Sequence, residues 1–386
     1  MHLHLLIHGL QGHPRHLGEA ARLFSARHPA VHLVIPNSFT YDHTYDGIDW
    51  NAARILLELD EAIAMLEKDP LVRVTRLSIT GYSMGGLYAR YLIGMLYSRG
   101  FFESVEAVNF TSFTTPHAGI PPHPHTSRVL FWIGSTVFGR SGKQLHLRDN
   151  WADTGYPLLQ AIAHPDFAFY HGLSKFRKIN IYANAINDFT VPYFSGAFEE
   201  ADPFAEHPER DIIPEHLPDY TPLIQGFSLA KSSPSLGARL KSLPPLTFNG
   251  PFVAWAFPWN IIVYLLLPML VPIGVVYITI DCLLSSRSSR ARVRILEKNA
   301  PISIPVPPPS NADAPLVLNP DMTTLMTAQQ AMIVHGLNRL DGVHKYTAFR
   351  PRVRNSHAML ICLEPRFADH RAGRGVLRHW VDNFEV

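Results

Sequence analysis

Cysteine is almost missing: the 386 residues hold two, Cys282 and Cys362. That excludes a disulfide scaffold and a cysteine-built zinc cluster. Cys282 lies among apolar residues and Cys362 in a strand-like run, so two reduced thiols and a reducing compartment are expected. Charge is also scarce, at 17% of residues against 47% hydrophobic, which excludes a disordered chain. Lysine and arginine (34) nearly balance aspartate and glutamate (32), so no nucleic-acid partner is implied. There is no secretory signal: Met1 runs straight into His2-Leu3-His4-Leu5-Leu6-Ile7, too short for a signal core and without a basic leader. This stretch reads as a buried strand, so the domain is expected to begin near Met1 and to face the cytosol. Histidine is plentiful, at 21. Its local clusters (His2, His4, His8, His13, His16; His117, His123, His125) lack acidic partners and helical ligand spacing, so no metal and no organic cofactor is implied.

What is present is a β/α alternation. Strands are predicted at 3–8, 31–36, 76–82, 105–110 and 178–184, several as continuous apolar runs, as when helices cover both sheet faces. Helices are predicted at 17–26, 51–67 and 84–98; the second carries Ile55, Leu56, Leu59, Ile63 and Leu66 at helical spacing. The fold class is therefore α/β with a mostly parallel sheet. Residues 1–200 and 321–386 are read as two parts of one core. Between them lie an irregular, Pro- and acid-rich surface excursion (201–251), a hydrophobic segment (252–284) and a basic, then Pro-rich linker (285–320). The C-terminal part is predicted as a helix near 323–340, strands near 345–350 and 359–363, and a helix near 376–383.

The chemistry centres on Gly81-Tyr82-Ser83-Met84-Gly85, a G-x-S-x-G pattern between an apolar strand and a helix. A serine on so sharp a turn needs small neighbours, and the helix amides behind it favour developing negative charge. His8-Gly9-Leu10-Gln11-Gly12 follows the first strand, where hydrolases of this kind place a second oxyanion donor. The backbone amides of Leu10 and Met84 are the candidate pair. A serine nucleophile needs a histidine base and a carboxylate to orient it. Asp188 is the best-placed acid, just beyond the strand ending at Asn184; Asp149, Asp153 and Asp166 follow no strand. His357 is the candidate base, ahead of His344, His370 and His379.

These residues resemble the serine-esterase family of eukaryotic lipases. The resemblance rests on His8–Gly12, Gly47-Ile48-Asp49, Gly81–Gly86, Thr114-Thr115-Pro116-His117-Ala118-Gly119, Gly139-Arg140-Ser141-Gly142-Lys143-Gln144-Leu145, Asn187-Asp188 with Val191-Pro192, and Ser356-His357-Ala358. It implies an α/β-hydrolase fold lacking the early edge strands, lipid acyl-ester hydrolysis, and Ser83, Asp188 and His357 as the triad.

Residues 252–280 contain no charged side chain, are broken by Pro258, Pro268 and Pro272, and are flanked by Lys231, Arg239 and Lys241 before and four arginines after. As a straight helix they would measure roughly 43 Å against a hydrocarbon core of about 30 Å. Ser83 and Asp188 precede this segment and His357 follows it, so a single crossing would split the triad. A membrane hairpin, or a bent helix in the interface, anchored in one leaflet is expected. A second apolar patch, Leu130-Phe131-Trp132-Ile133, reads as part of a lid, an acyl-binding wall or ordinary core. The expected partners are a lipid substrate and a membrane or lipid-droplet surface, on its cytosolic side. Acyl transfer, thioester cleavage and a non-catalytic lipid-binding scaffold are the alternative functions.

Overall fold

The structure, a computed structural model, describes residues 1–121, 135–205, 207, 212–229, 259–299, 304 and 326–386. The patch at 130–133, most of the Pro-rich linker and residues 252–258 lie outside them. In chain order the main elements are β1 (His2–Ile7), α1 (Gly18–Arg27), β2 (His32–Val34), α2 (Ile48–Leu66), β3 (Arg76–Tyr82), α3 (Gly85–Ser98), β4 (Glu106–Phe113), α4 (Gly139–Leu145) and β5 (Lys178–Asn184). They continue with β6 (Ile212–His216), β7 (Leu223–Leu229), α5 (Trp259–Asn299), α6 (Ala328–Asn338), β8 (Val343–Ala348), α7 (Ser356–Met359) and α8 (Arg374–Asp382).

Eight strands form one sheet in the order β2-β1-β3-β4-β5-β8-β7-β6. The pairs from β2 to β8 are parallel, and β7 and β6 are antiparallel additions at one edge. Side chains alternate between two apolar layers. Leu3, Leu5, Leu77, Ile79, Ile179 and Ile181 pack with α2, α3 and α6. Leu6, Tyr82 and Tyr182 pack on the other face with α1 and α8. Covering both faces explains why these strands read as continuous apolar runs. α6 starts where Thr327 and Gln330 form a reciprocal capping box, satisfying two otherwise unpaired amides.

Two expectations change, and a third narrows. Residues 201–251 were expected to be irregular, but 212–229 form the β6–β7 hairpin, with Leu223 opposite Ala348 and Ile224 opposite Thr347. Pro214 hid the strand; it is tolerated because β6 is the sheet edge. The strand expected at 359–363 is instead the end of α7 followed by a turn, with Met359, Leu360, Ile361 and Cys362 all buried. A short apolar run fits a buried turn as well as a strand. Finally, of the hairpin and the bent helix anticipated for 252–284, the described residues from Trp259 onward are helical throughout, with Pro268 and Pro272 inside α5.

The N-terminal histidines serve the core. His2 Nε2 lies 2.8 Å from Ser78 Oγ and His4 Nε2 lies 2.9 Å from Thr80 Oγ1. His4 sits among Phe24, Trp380 and Phe384, and its Nδ1 has no hydrogen-bond partner. Burial lowers the pKa of His2, His8 and His379 from 6.5 to about 4, and holds His4 and His117 well below 6.5. Below pH 6.5 the unfolded chain takes up protons that these folded sites refuse. Their contribution is complete above that pH and is lost as pH falls towards 4, by at most about 1.4 kcal/mol per pH unit from each group. A thermal-unfolding series should therefore show a midpoint that falls steadily from pH 6.5 to 4; a flat midpoint would mean these imidazoles protonate freely when folded.

Candidate active site

The parallel strands end along one rim of the sheet, and the loops that follow carry the candidate residues. The sharp turn after β3 puts Ser83 at φ 54°, and its amide donates to Phe113 O at 2.8 Å. Three more non-glycine residues beyond strand ends share the left-handed region: Gln11 (φ 50°) after β1, Thr114 (φ 42°) after β4 and Asn187 (φ 60°) after β5. Such conformations cost about 1–3 kcal/mol each and persist where the surroundings over-determine them. The turn at Ser83 also needs Gly85, because a methyl group there would collide with the backbone oxygen of Ile7.

The structure brings Ser83, His357 and Asp188 together. His357 Nε2 is 3.0 Å from Ser83 Oγ, and His357 Nδ1 is 3.0 and 3.1 Å from the two oxygens of Asp188. A tautomer with the proton on Nδ1 donates to Asp188 and leaves Nε2 to accept from the serine hydroxyl. The His357 loop is tied to the Asp188 loop directly. Ser356 N donates to Asn187 O at 3.0 Å, and Ser356 Oγ donates to Ile186 O at 2.7 Å. Asn355 caps the short α7 by accepting from His357 N at 3.2 Å.

Asp188 is almost enclosed, its side chain 3% exposed. Burial alone would raise its pKa, but the charge and hydrogen bond of His357, with Thr114 and the Val191 amide, hold it below the usual carboxylate range. Thr114 Oγ1 donates to Oδ2 at 2.6 Å and Asn184 Nδ2 to the same oxygen at 2.9 Å. Oδ1 accepts from Thr190 N, Thr190 Oγ1 and Val191 N at 2.8–3.0 Å. Thr114 and Asn184 were not singled out individually from the sequence. Their signal was positional: each stands at or just past a strand end.

The 8–12 loop lies against the serine turn: a methyl group on Gly9 would sit 2.7 Å from Ser83 Cβ and 3.2 Å from Met84 N. Neither the Leu10 nor the Met84 amide donates to a protein acceptor among the described residues. Both are thus available to an oxyanion beside Ser83. The rival residues have other partners. His379 Nδ1 meets Tyr182 OH at 2.8 Å, His370 Nδ1 accepts from Glu364 N at 3.0 Å, and His344 is exposed on β8. Asp149 accepts from Leu158 N at 3.0 Å.

Residues 1–202, which include Ser83 and Asp188, match the family model described as "Putative serine esterase (DUF676)". The chain belongs to that family. It is 27% identical over 211 residues to "Putative lipase C4A8.10" of Schizosaccharomyces pombe, covering 51% of this chain and 26% of that protein. It is 32% identical over 127 residues to "Putative lipase ROG1" of Saccharomyces cerevisiae, covering 32% of this chain and 18% of that protein. The chain thus spans about a quarter or less of the length of these curated relatives. Among solved structures, phospholipase PlaB of Legionella pneumophila aligns at 12% identity over 49% of this chain and 39% of its own, with a TM-score of 0.33.

The remaining stretches that marked this serine-esterase family build a joint beside the site. Asp49 accepts from Arg140 at 2.6 Å and from Gln144 at 3.1 Å. Gln144 Oε1 accepts from Ile48 N at 2.7 Å, and Ser141 Oγ accepts from Gly47 N at 3.1 Å. Gln11 reaches the same region: its amide donates to Thr44 Oγ1 at 2.9 Å and its side chain to Tyr45 OH at 2.5 Å. Helix α5 docks here. Tyr45 OH is 3.6 Å from Cys282 Sγ, and Arg292 bonds Asp42 at 2.9 Å and the fully buried Asp46 at 3.0 Å. Arg54 holds the other oxygen of Asp46 at 2.6 Å.

Replacing Thr114 by valine removes a hydrogen bond to a buried, charged oxygen. The change should lower stability in urea by about 1.5–3 kcal/mol. A loss under 0.5 kcal/mol would show that Asp188 does not rely on that hydroxyl.

Proposed function

We propose that the protein hydrolyses acyl esters of lipids through a Ser83–His357–Asp188 triad. The single observation that carries this reading is the imidazole of His357, within 3.0 Å of both the serine hydroxyl and the buried carboxylate. Ser83 Oγ attacks the acyl carbonyl while His357 takes its proton. The Leu10 and Met84 amides stabilise the oxyanion. His357 then protonates the departing alcohol, and a water activated by the same imidazole releases the fatty acid. Asp188 keeps the ring in its productive tautomer and balances the transient positive charge. No step calls on a cofactor.

A lipid substrate is supported by the family, by the names of its relatives and by the exposed apolar surface. Phe189, the neighbour of Asp188, is 80% exposed. Helix α5 carries a long apolar stretch: Leu265–Lys298 is long and apolar enough to cross a membrane, by length and composition. Leu265, Met269, Ile273, Val276, Ile278 and Ile280 are all exposed. An all-round apolar helix open to water is unfavourable and calls for a lipid or protein cover. In this reading the apolar turns enter a membrane or lipid-droplet surface. β5 and β7 precede the insertion and β8 follows it in the same sheet, so the chain enters and leaves the lipid on one side. On this proposal the polypeptide is anchored in one leaflet, with its active site on the cytosolic face.

Two experiments test this reading. Ser83→Ala should abolish fluorophosphonate labelling and lower lipid-ester hydrolysis by roughly 10⁶-fold, and Asp188→Asn should lower it by roughly 10⁴-fold. Full hydrolysis by purified Ser83→Ala protein would refute the triad. Deleting residues 259–280, which spares Cys282 and Arg292, should release the protein from vesicles while fluorophosphonate labelling persists. Continued co-flotation of that variant would refute the anchor.

A further inference from the structure

A pocket of about 350 Å³ opens where α5 crosses α4 and the turn at 148–151. Five cationic side chains line it: Arg140, Lys143 and Arg148 from the hydrolase domain, Arg290 and Arg294 from α5. Among the described residues the carboxylates in its wall are Asp149 and Glu297, which leaves an excess of three positive charges there. Arg140 is already engaged by Asp49 at 2.6 Å and Glu297 at 3.1 Å. Arg148 donates to Ser135 Oγ at 2.6 Å. Lys143, Arg290 and Arg294 have no ion-pair partner among the described residues, although they crowd one cavity. Like charges gathered around a concave space repel one another and focus a positive potential, which an oxyanion relieves. The mixture suits phosphate in particular: guanidinium forks grip two oxygens at once and the ammonium supplies a point charge.

The place matters as much as the charge. The charge-free apolar run of α5 ends at Ile280, where Asp281 follows, and Arg290 and Arg294 stand ten and fourteen residues later. At 1.5 Å per residue they stand roughly 15 and 21 Å beyond that run along the helix axis. A headgroup layer is about 5–8 Å deep, so a helix lying at a low angle in the interface, rather than upright, sets this pocket beside the phosphates. Arg292, one residue face away, does not join the pocket; it is consumed by Asp42 and Asp46 and fixes the helix against the domain.

We propose that this pocket binds a phosphate group, presented by an anionic lipid headgroup at the surface where α5 inserts. The headgroup as source rests on the anchor described under the proposed function; the pocket itself does not. It is separate from Ser83, and it would hold the enzyme by a lipid that is not the one being cleaved.

The test uses the full chain. Flotation with vesicles of phosphatidylcholine alone is compared with flotation on phosphatidylcholine containing phosphatidic acid. Phosphatidic acid should tighten binding by roughly 10–100-fold. The triple variant Lys143→Gln, Arg290→Gln, Arg294→Gln should lose that gain while keeping its binding to phosphatidylcholine and its fluorophosphonate labelling. Arg287→Gln with Lys298→Gln, cations of the same helix outside the pocket, should keep the gain. A gain that survives the triple variant, or that the control pair loses equally, overturns the pocket in favour of diffuse attraction. Calorimetry with inorganic phosphate separates the sources. Heat that disappears in the triple variant, without any phosphatidic acid gain, assigns the pocket to free phosphate and overturns the headgroup. Absence of both the heat and the gain overturns the site altogether. Failure to float on phosphatidylcholine refutes the anchor alone, and the calorimetric arm still decides the pocket.

Discussion

One imidazole must touch two groups that the chain delivers from far apart. His357 meets Asp188 across 169 residues and Ser83 across 274. Between acid and base the chain leaves the sheet, builds an edge hairpin and the long α5, and returns through β8. The return is accurate because β8 sits between β5 and β7, so its end is fixed beside the Asp188 loop by ladder hydrogen bonds. Ser356 then pins the histidine loop to Asn187 and Ile186. A large insertion is compatible with this geometry because a surface excursion costs little once its ends are held in a sheet.

The rim of the sheet stores strain where the chemistry is proposed. Gln11, Ser83, Thr114 and Asn187 all adopt left-handed backbone conformations at successive strand ends. The two apolar layers, with their buried neutral histidines, supply the stability that tolerates them. Fixed strand ends also hold the amides of Leu10 and Met84, so the proposed oxyanion would need little reorganisation there.

Helix α5 is packed on the domain at one end. Its C-terminal half meets the domain through Cys282, Ser286 and Arg292, and Tyr45 links that contact to Gln11 in the loop beside Ser83. The stretches 8–12, 47–49 and 139–145, which looked like scattered family marks, are one connected structure beneath this helix. The buried Asp46, shared by Arg54 and Arg292, is paired well enough to be tolerated, and losing either arginine would leave part of its charge uncompensated. The exposed apolar helix and the loop beside Ser83 are thus joined by short, specific contacts.

Read alone, the amino-acid order points to the parallel α/β core, the serine turn and a carboxylate beyond β5, while the choice of His357 leaned on the family resemblance. Those features follow from local rules: apolar runs between helical stripes, glycine where a turn is sharp, a carboxylate past a strand end. It could not determine the β6–β7 hairpin, because Pro214 argues against a strand until the edge position is known. Nor could it separate a buried turn from a strand at 359–362, since burial rather than periodicity makes that run apolar. Thr114 and Asn184 around Asp188, the clamp of Arg292 on Asp46, and the gathering of Lys143 with Arg290 and Arg294 were decided only by the tertiary structure. Each joins residues from separate elements, and no spacing along a chain encodes which side chains a sheet rim and a docked helix will bring into contact.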